Sequence, residues 1–153
     1  MNEKLDETDR RILNLLQKDA SLSVDDISAS VHLSRNACWR RIKALEQSGV
    51  ITARVALLDP ARVGLPLMVM VLIRTNAHDH SWMEKFQTAL RSLPEVVGAY
   101  RMTGDLDYVL RVRVADMPAY DVFYKRLIAL ISVSDISASF VMEEIKDTTA
   151  LPL

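Results

Sequence analysis

The sequence predicts an α+β chain, with an N-terminal winged helix-turn-helix joined to a C-terminal ferredoxin-like β-α-β-β-α-β domain. Three observations predict it. Apolar residues recur at three- and four-residue steps up to about Ser48, between helix-capping signals. A cluster of chain breakers then runs from Asp59-Pro60 to Gly64-Leu65-Pro66. Beyond it, strand-like and helical segments follow one another in the split β-α-β order.

The first helix is read from Asp6, a residue type that accepts the free N–H groups of a helix start, with Ile12, Leu13 and Leu16 forming its apolar stripe. Ser23-Val-Asp-Asp26 matches the capping-box pattern and opens a second helix, with Ile27 and Val31 four residues apart. His32-Leu33 makes the turn. Ser34 caps a third helix that runs to about Ser48 and stops at Gly49. The stretch from Val50 to Leu58 reads as a strand pair or wing. The expected domains are therefore residues 1–58 and 67–153, with 59–66 as linker.

In the second half, Leu67–Arg74 is a near-continuous apolar strand. A helix from about Asp79 to Leu93 places Trp82, Phe86 and Leu90 on one stripe. Val96–Thr103 and Tyr108–Val114 are strands around a Gly104-Asp105 turn, with Val109, Arg111 and Arg113 on one face of the second. A helix after Asp116 aligns Tyr120, Phe123, Leu127 and Ile131, and Ser137–Ile145 closes as a strand.

Composition narrows the function. The chain has 153 residues, half of them hydrophobic, enough for a packed core. No apolar run approaches the ~20 residues of a membrane helix, and the opening Asn2-Glu3-Lys4 has no signal-peptide pattern, so the cytoplasm is expected. A single cysteine excludes an internal disulfide. Cys38 falls on an apolar stripe and reads as a small core residue rather than a redox sensor. No cofactor or metal is expected.

The net charge of −1 conceals a local patch: Ser34–Ser48 carries Arg35, Arg40, Arg41 and Lys43 against Glu46 alone. At about 100° per residue, Cys38, Ile42 and Leu45 share one side of this helix. Asn36, Arg40, Lys43 and Gln47 share the other, with Trp39 beside them. An apolar back and a basic front are what a helix in a DNA major groove needs, since Arg bonds guanine edges or phosphates and Asn suits adenine. The expected DNA-contacting residues are Ser34, Arg35, Asn36, Trp39, Arg40, Arg41 and Lys43, with Arg35 and Arg41 flanking near phosphates.

Collinear blocks through nearly the whole chain resemble the leucine-responsive/asparagine-responsive (Lrp/AsnC) transcription regulators. They include Leu5-Asp6-Glu7-Thr8-Asp9-Arg10-Arg11-Ile12-Leu13, Gly49-Val50-Ile51, Ala56-Leu57-Leu58-Asp59-Pro60, Pro94-Glu95-Val96, Thr103-Gly104-Asp105-Leu106-Asp107-Tyr108 and Lys146–Leu153. His32 departs from the family, which usually has glycine in the turn; histidine tolerates a left-handed backbone better than most residues. The resemblance implies a cytoplasmic bacterial regulator of amino-acid metabolism whose second, effector-binding (RAM) domain senses a small amino acid. It also implies homodimers, formed mainly by sheet-to-sheet packing of that domain and assembling into octamers or other higher forms. Their paired recognition helices would read a near-palindromic operator in double-stranded DNA.

The same resemblance makes the loop around Gly104 the effector site. An amino acid presents an ammonium that wants carboxylate or carbonyl acceptors and a carboxylate that wants N–H groups and hydroxyls. Asp105 and Asp107 supply acceptors, Gly104 permits close backbone approach, and Arg101, Met102, Thr103 and Tyr108 adjoin them. Ser137 and Ser139 are the candidate hydroxyls from the last strand. From the residues alone, Gly104-Asp105 is equally a plain hairpin turn held closed by Asp107 and Tyr108. Two carboxylates without a neighbouring histidine, lysine or phosphate loop make a poor catalytic or metal site, so an enzyme is not expected. An architectural protein that packs DNA without a ligand is the alternative.

Overall fold

The computed structural model describes residues 5–77 and 79–153; Asn2-Glu3-Lys4 lies outside them. The chain divides into two compact units. One runs to Leu57 and also contains Lys146–Leu153, and the other is Leu58–Ile145. The closing eight residues, expected with the second domain, thus pack with the first. The physical reason is a set of hydrogen bonds between the Asn14 and Gln17 side chains and the Leu151 and Leu153 backbone.

The first unit is built on α1 (Glu7–Leu16), α2 (Val24–Val31) and α3 (Arg35–Gln47). All three expected caps form. Asp6 and Asp9 make a reciprocal capping box on α1, Ser23 and Asp26 make one on α2, and the Ser34 hydroxyl accepts from the Ala37 N–H. His32 sits at φ 58°, ψ 44°, the left-handed conformation its place in the turn requires. Ile12, Leu13, Leu16, Ile27, Val31, Cys38, Ile42 and Leu45 close the core between the helices. Burying one such aliphatic side chain contributes about 1.5–3 kcal/mol, so the three stripes together hold the unit.

Residues 50–58 differ from expectation. They form no hydrogen-bonded strand with any other described residues, and Val55, Leu57 and Leu58 are about 70% exposed. An apolar, β-prone stretch pairs only where a neighbouring strand offers partners.

The second unit carries β1 (Leu67–Arg74), α4 (His80–Arg91), β2 (Val96–Arg101), β3 (Tyr108–Val114), α5 (Met117–Leu130) and β4 (Asp135–Phe140). Its antiparallel sheet has the order β2-β3-β1-β4, the ferredoxin-like arrangement expected from the element order. One sheet face packs on the helices through Val69, Val71, Ile73, Leu110 and Val112 against Phe86, Phe123 and Leu127. On the other face, Met70, Leu72, Val109 and Arg111 are half-buried and Ser137 and Ser139 exposed.

Three strand ends differ from the sequence expectation. β2 stops at Arg101 because the chain turns there, and the Met102 N–H donates to the Asp107 carbonyl at 2.8 Å. β4 begins earlier than expected, with Asp135 paired to Arg74, and ends at Phe140. In the segment before β1, Asp59 accepts from the Ala61 N–H, and the Leu65 N–H donates to the Pro60 carbonyl, which closes a turn.

Candidate nucleic-acid interface and effector hairpin

The candidate interface follows from the two sides of α3. Cys38, Ile42 and Leu45 are buried against α1 and α2. That burial fixes the opposite side outward, where Asn36, Arg40, Lys43 and Gln47 are exposed and Trp39 is 52% exposed. Trp39 thus offers a large, partly open ring on the same side as Asn36 and Arg40.

The four cations of this segment have different environments. Arg40 lies exposed on the outward face. Arg35 pairs with Asp25 of α2 at 2.9 Å, with both groups largely solvated. Lys43 pairs with Glu46 at 2.6 Å, and Arg54 reaches the other oxygen of the same carboxylate at 3.1 Å. The Lys43 hydrogen bond, ahead of the Arg54 charge, holds Glu46 below the usual carboxylate range. Arg41 turns back to α1, where its Nη1 lies 2.7 Å from Asp6 Oδ2 and 2.8 Å from Asp9 Oδ1. It therefore clamps the capping box rather than standing among the outward-facing residues. Ser34 acts as the α3 cap. Burial raises the Cys38 thiol above its ordinary value, as suits a core residue.

Sequence reading missed the acidic partners of these cations. The capping-box residues Asp6 and Asp9 were legible as caps, but their second role needs the fold that brings Arg41 to them.

In the second unit, the hairpin between β2 and β3 is closed at its base. The Asp107 N–H donates to the Ile73 carbonyl at 3.0 Å, and Asp107 Oδ2 accepts from the Thr75 N–H at 2.8 Å. Arg74 donates through Nε to the Asp105 carbonyl at 2.8 Å and pairs through Nη1 with Asp135 at 2.9 Å. Asp107 is therefore committed to the hairpin base, while the Asp105 side chain is exposed at its tip. Gly104 adopts φ +104°, a region that favours glycine, and a side chain placed there would meet nothing within 4 Å. The tip is open on that side.

The remaining candidates are spread around this hairpin. Met102 and Thr103 lie on it and are exposed. Tyr108 is buried, with its ring 4.5 Å from Phe86 and 5.8 Å from Trp82 between centroids. Arg101 and Tyr108 both line a cavity of about 220 Å³ beside α4, with Met83, Phe86 and Leu90. Ser137 and Ser139 sit opposite Leu72 and Met70 on the open sheet face, one strand beyond β1. The structure thus groups Gly104, Asp105 and Asp107 at one hairpin, sends Arg101 and Tyr108 to the helix side, and leaves the two serines on the sheet. Arg74 and Thr75, which hold the hairpin, carried no sequence signal.

A capped three-helix unit with a basic outward face, joined to a β-α-β-β-α-β unit with an exposed glycine hairpin, defines a two-domain DNA-binding regulator. Comparison with known proteins places it further. Residues 5–52 match the winged helix-turn-helix DNA-binding profile, and residues 68–151 match the Lrp/AsnC ligand-binding domain. The chain belongs to the Lrp/AsnC family of transcriptional regulators. It is 47% identical over 150 residues to the DNA-binding transcriptional activator DecR of Escherichia coli, covering 97% of this chain and 99% of that protein. The structure of an AsnC family transcriptional regulator from Agrobacterium tumefaciens superposes with a TM-score of 0.94 at 51% identity, covering 97% of each chain. A Neisseria meningitidis transcriptional regulator solved in complex with L-Met gives a TM-score of 0.93 at 37% identity, again over 97% of each chain.

Proposed function

We propose that this protein controls transcription by reading a two-part operator with paired copies of α3, under the influence of an amino acid bound at the Gly104 hairpin. The observation that carries the DNA part is the division of α3 into a buried Cys38-Ile42-Leu45 side and an exposed Asn36-Trp39-Arg40 side. Asn36, Trp39 and Arg40 reach the DNA at base edges or phosphates, and Arg35 and Lys43 exchange their carboxylate partners for phosphates. Ser34 presents the α3 N-terminus, and Arg41 holds the helix at its angle. The protein performs this function in the cytoplasm, where the DNA is, and catalyses no reaction.

The effector reading rests on the ligand-binding-domain match and on the open side of Gly104. The Asp105 carboxylate takes the ammonium, and the N–H groups of the Thr103–Asp105 tip take the carboxylate. Ser137 and Ser139 contribute only if a neighbouring copy brings the open sheet face into the site. That face, with Met70, Leu72 and Val109 half-buried, is the surface we assign to the homodimer, from which an octamer or other higher assembly is built.

The test is a thermal-shift screen of the twenty amino acids with DNA affinity measured beside it. A ligand that binds only the native state raises the melting temperature. A shift with one amino acid, lost in Asp105→Ala, supports the site. No shift with any of them contradicts sensing, and equal affinity for all DNA sequences at moderate salt would instead favour an architectural DNA-packing role.

A further inference from the structure

We propose that residues 146–153 form a strap, clasped to α1 by Gln17, that restrains the DNA-binding unit and so sharpens its hold on a two-part DNA site. Gln17 is the C-cap of α1. Its Nε2 donates to the Leu151 carbonyl at 2.8 Å, and its Oε1 accepts the Leu151 N–H at 2.8 Å. One side-chain amide thereby satisfies both backbone groups of one residue, as a neighbouring strand would. The second Nε2 hydrogen goes to Asn14 Oδ1 at 3.0 Å, and Asn14 Nδ2 reaches the Leu153 carbonyl at 3.4 Å.

Besides this polar clasp, Thr149, Leu151 and Leu153 border a groove with Leu13 and Leu16 of α1. Leu151 is 68% exposed and Leu153 41%. The apolar core of the helical unit, with the half-buried residues packed on it, contains no residue of 146–153. The helices therefore pack their core without the strap, and hydrogen bonds exposed to solvent open more readily than buried ones.

Its place in the chain gives that opening a consequence. The chain passes between the units at residues 57–58 and again at 145–146. With the strap clasped, the DNA-binding unit is tethered twice; with it released, only the first connection remains. A second tether limits the volume the unit explores, which raises its effective concentration at a second half-site once the first is bound. The strap also follows β4, whose first residue Asp135 pairs with Arg74, the residue that holds the Asp105 carbonyl of the hairpin.

This inference rests on the paired-reader reading above, and the experiment separates the two. In the full chain, Gln17→Ala and Leu151→Pro break the clasp from opposite sides. Amide exchange at Leu151 is measured in wild type and Gln17→Ala, and at Ala150 in all three proteins. Each protein is then titrated with a DNA duplex selected from a random pool and with the same duplex cut to one half-site. Faster exchange in both variants, about tenfold weaker binding to the full duplex and unchanged binding to the half-site would support the strap. Unchanged exchange overturns it, because the clasp is then absent in solution. Equal losses on both duplexes, or a lowered melting temperature, overturn it in favour of a merely structural segment, as does full-site affinity that survives release. A wild-type protein with no preference for the full duplex would instead fail the paired-reader reading, and the strap with it.

Discussion

Arg41 and Asp9 meet across the packed helices of the DNA-binding unit, with Arg41 Nη1 2.8 Å from Asp9 Oδ1 and the same nitrogen 2.7 Å from Asp6 Oδ2. Helix α3 is thereby joined to the capping box that starts α1. Two carboxylates that already bond each other's backbone N–H groups form a preorganised receptor for one guanidinium. Arg41→Ala should destabilise the protein by about 1 kcal/mol, the upper end for a partly solvated pair. Urea unfolding measures it, and Arg40→Ala, made on the same helix, should leave the midpoint unchanged.

The same cluster sets a pH response. Bonding to the Asp9 backbone N–H, then to Arg41, holds Asp6 below its ordinary value of 3.8. A depressed carboxylate contributes stability that is fully present above the unfolded-state value and is lost as pH falls through the folded one. Stability from this site should be flat at neutral pH and decline below about pH 4. Denaturation midpoints between pH 7 and pH 3 check this, and Asp6→Asn should reduce the decline.

The outward face of α3 gives the DNA prediction. Arg40→Ala should weaken operator binding and reduce the slope of log affinity against log salt by about 1 if the residue contacts a phosphate. If it reads a base, the loss should be about 1–3 kcal/mol and depend on sequence. Competition titrations at several salt concentrations distinguish these. Trp39→Ala should weaken binding while leaving the melting temperature within a degree or so, because the side chain is half exposed already.

His32 tests the turn. At φ 58° a β-branched side chain is strained, so His32→Val should cost about 1–2 kcal/mol. His32→Gly should be close to neutral, since relief of strain offsets the greater freedom of glycine when unfolded. Thermal unfolding of the two variants reads the difference.

Much of this architecture was legible because local chemistry and packing agree. The Asp6, Ser23 and Ser34 caps fixed the three helix starts, and the Cys38-Ile42-Leu45 stripe fixed which side of α3 is inward. Val109, Arg111 and Arg113 alternate along β3 as their pleat demands. What the sequence hid depends on long-range contacts. Arg41 looks like any surface cation until the fold places it on Asp6 and Asp9, and Gln17 gives no sign of pairing with Leu151, 134 residues away. Val50–Leu58 has the composition of a strand, but composition supplies no partner, and the described residues offer none. At the hairpin, the glycine was readable, whereas the commitment of Asp107 to the Thr75 N–H was not.

The most direct measurement is the affinity of the purified full-length protein for DNA selected from a random pool, with and without each amino acid at millimolar concentration. The account predicts one enriched near-palindromic sequence, bound more weakly by Arg40→Ala, with an affinity that at least one amino acid changes and Asp105→Ala does not reproduce. Binding that enriches no sequence, or that no amino acid alters, would contradict it.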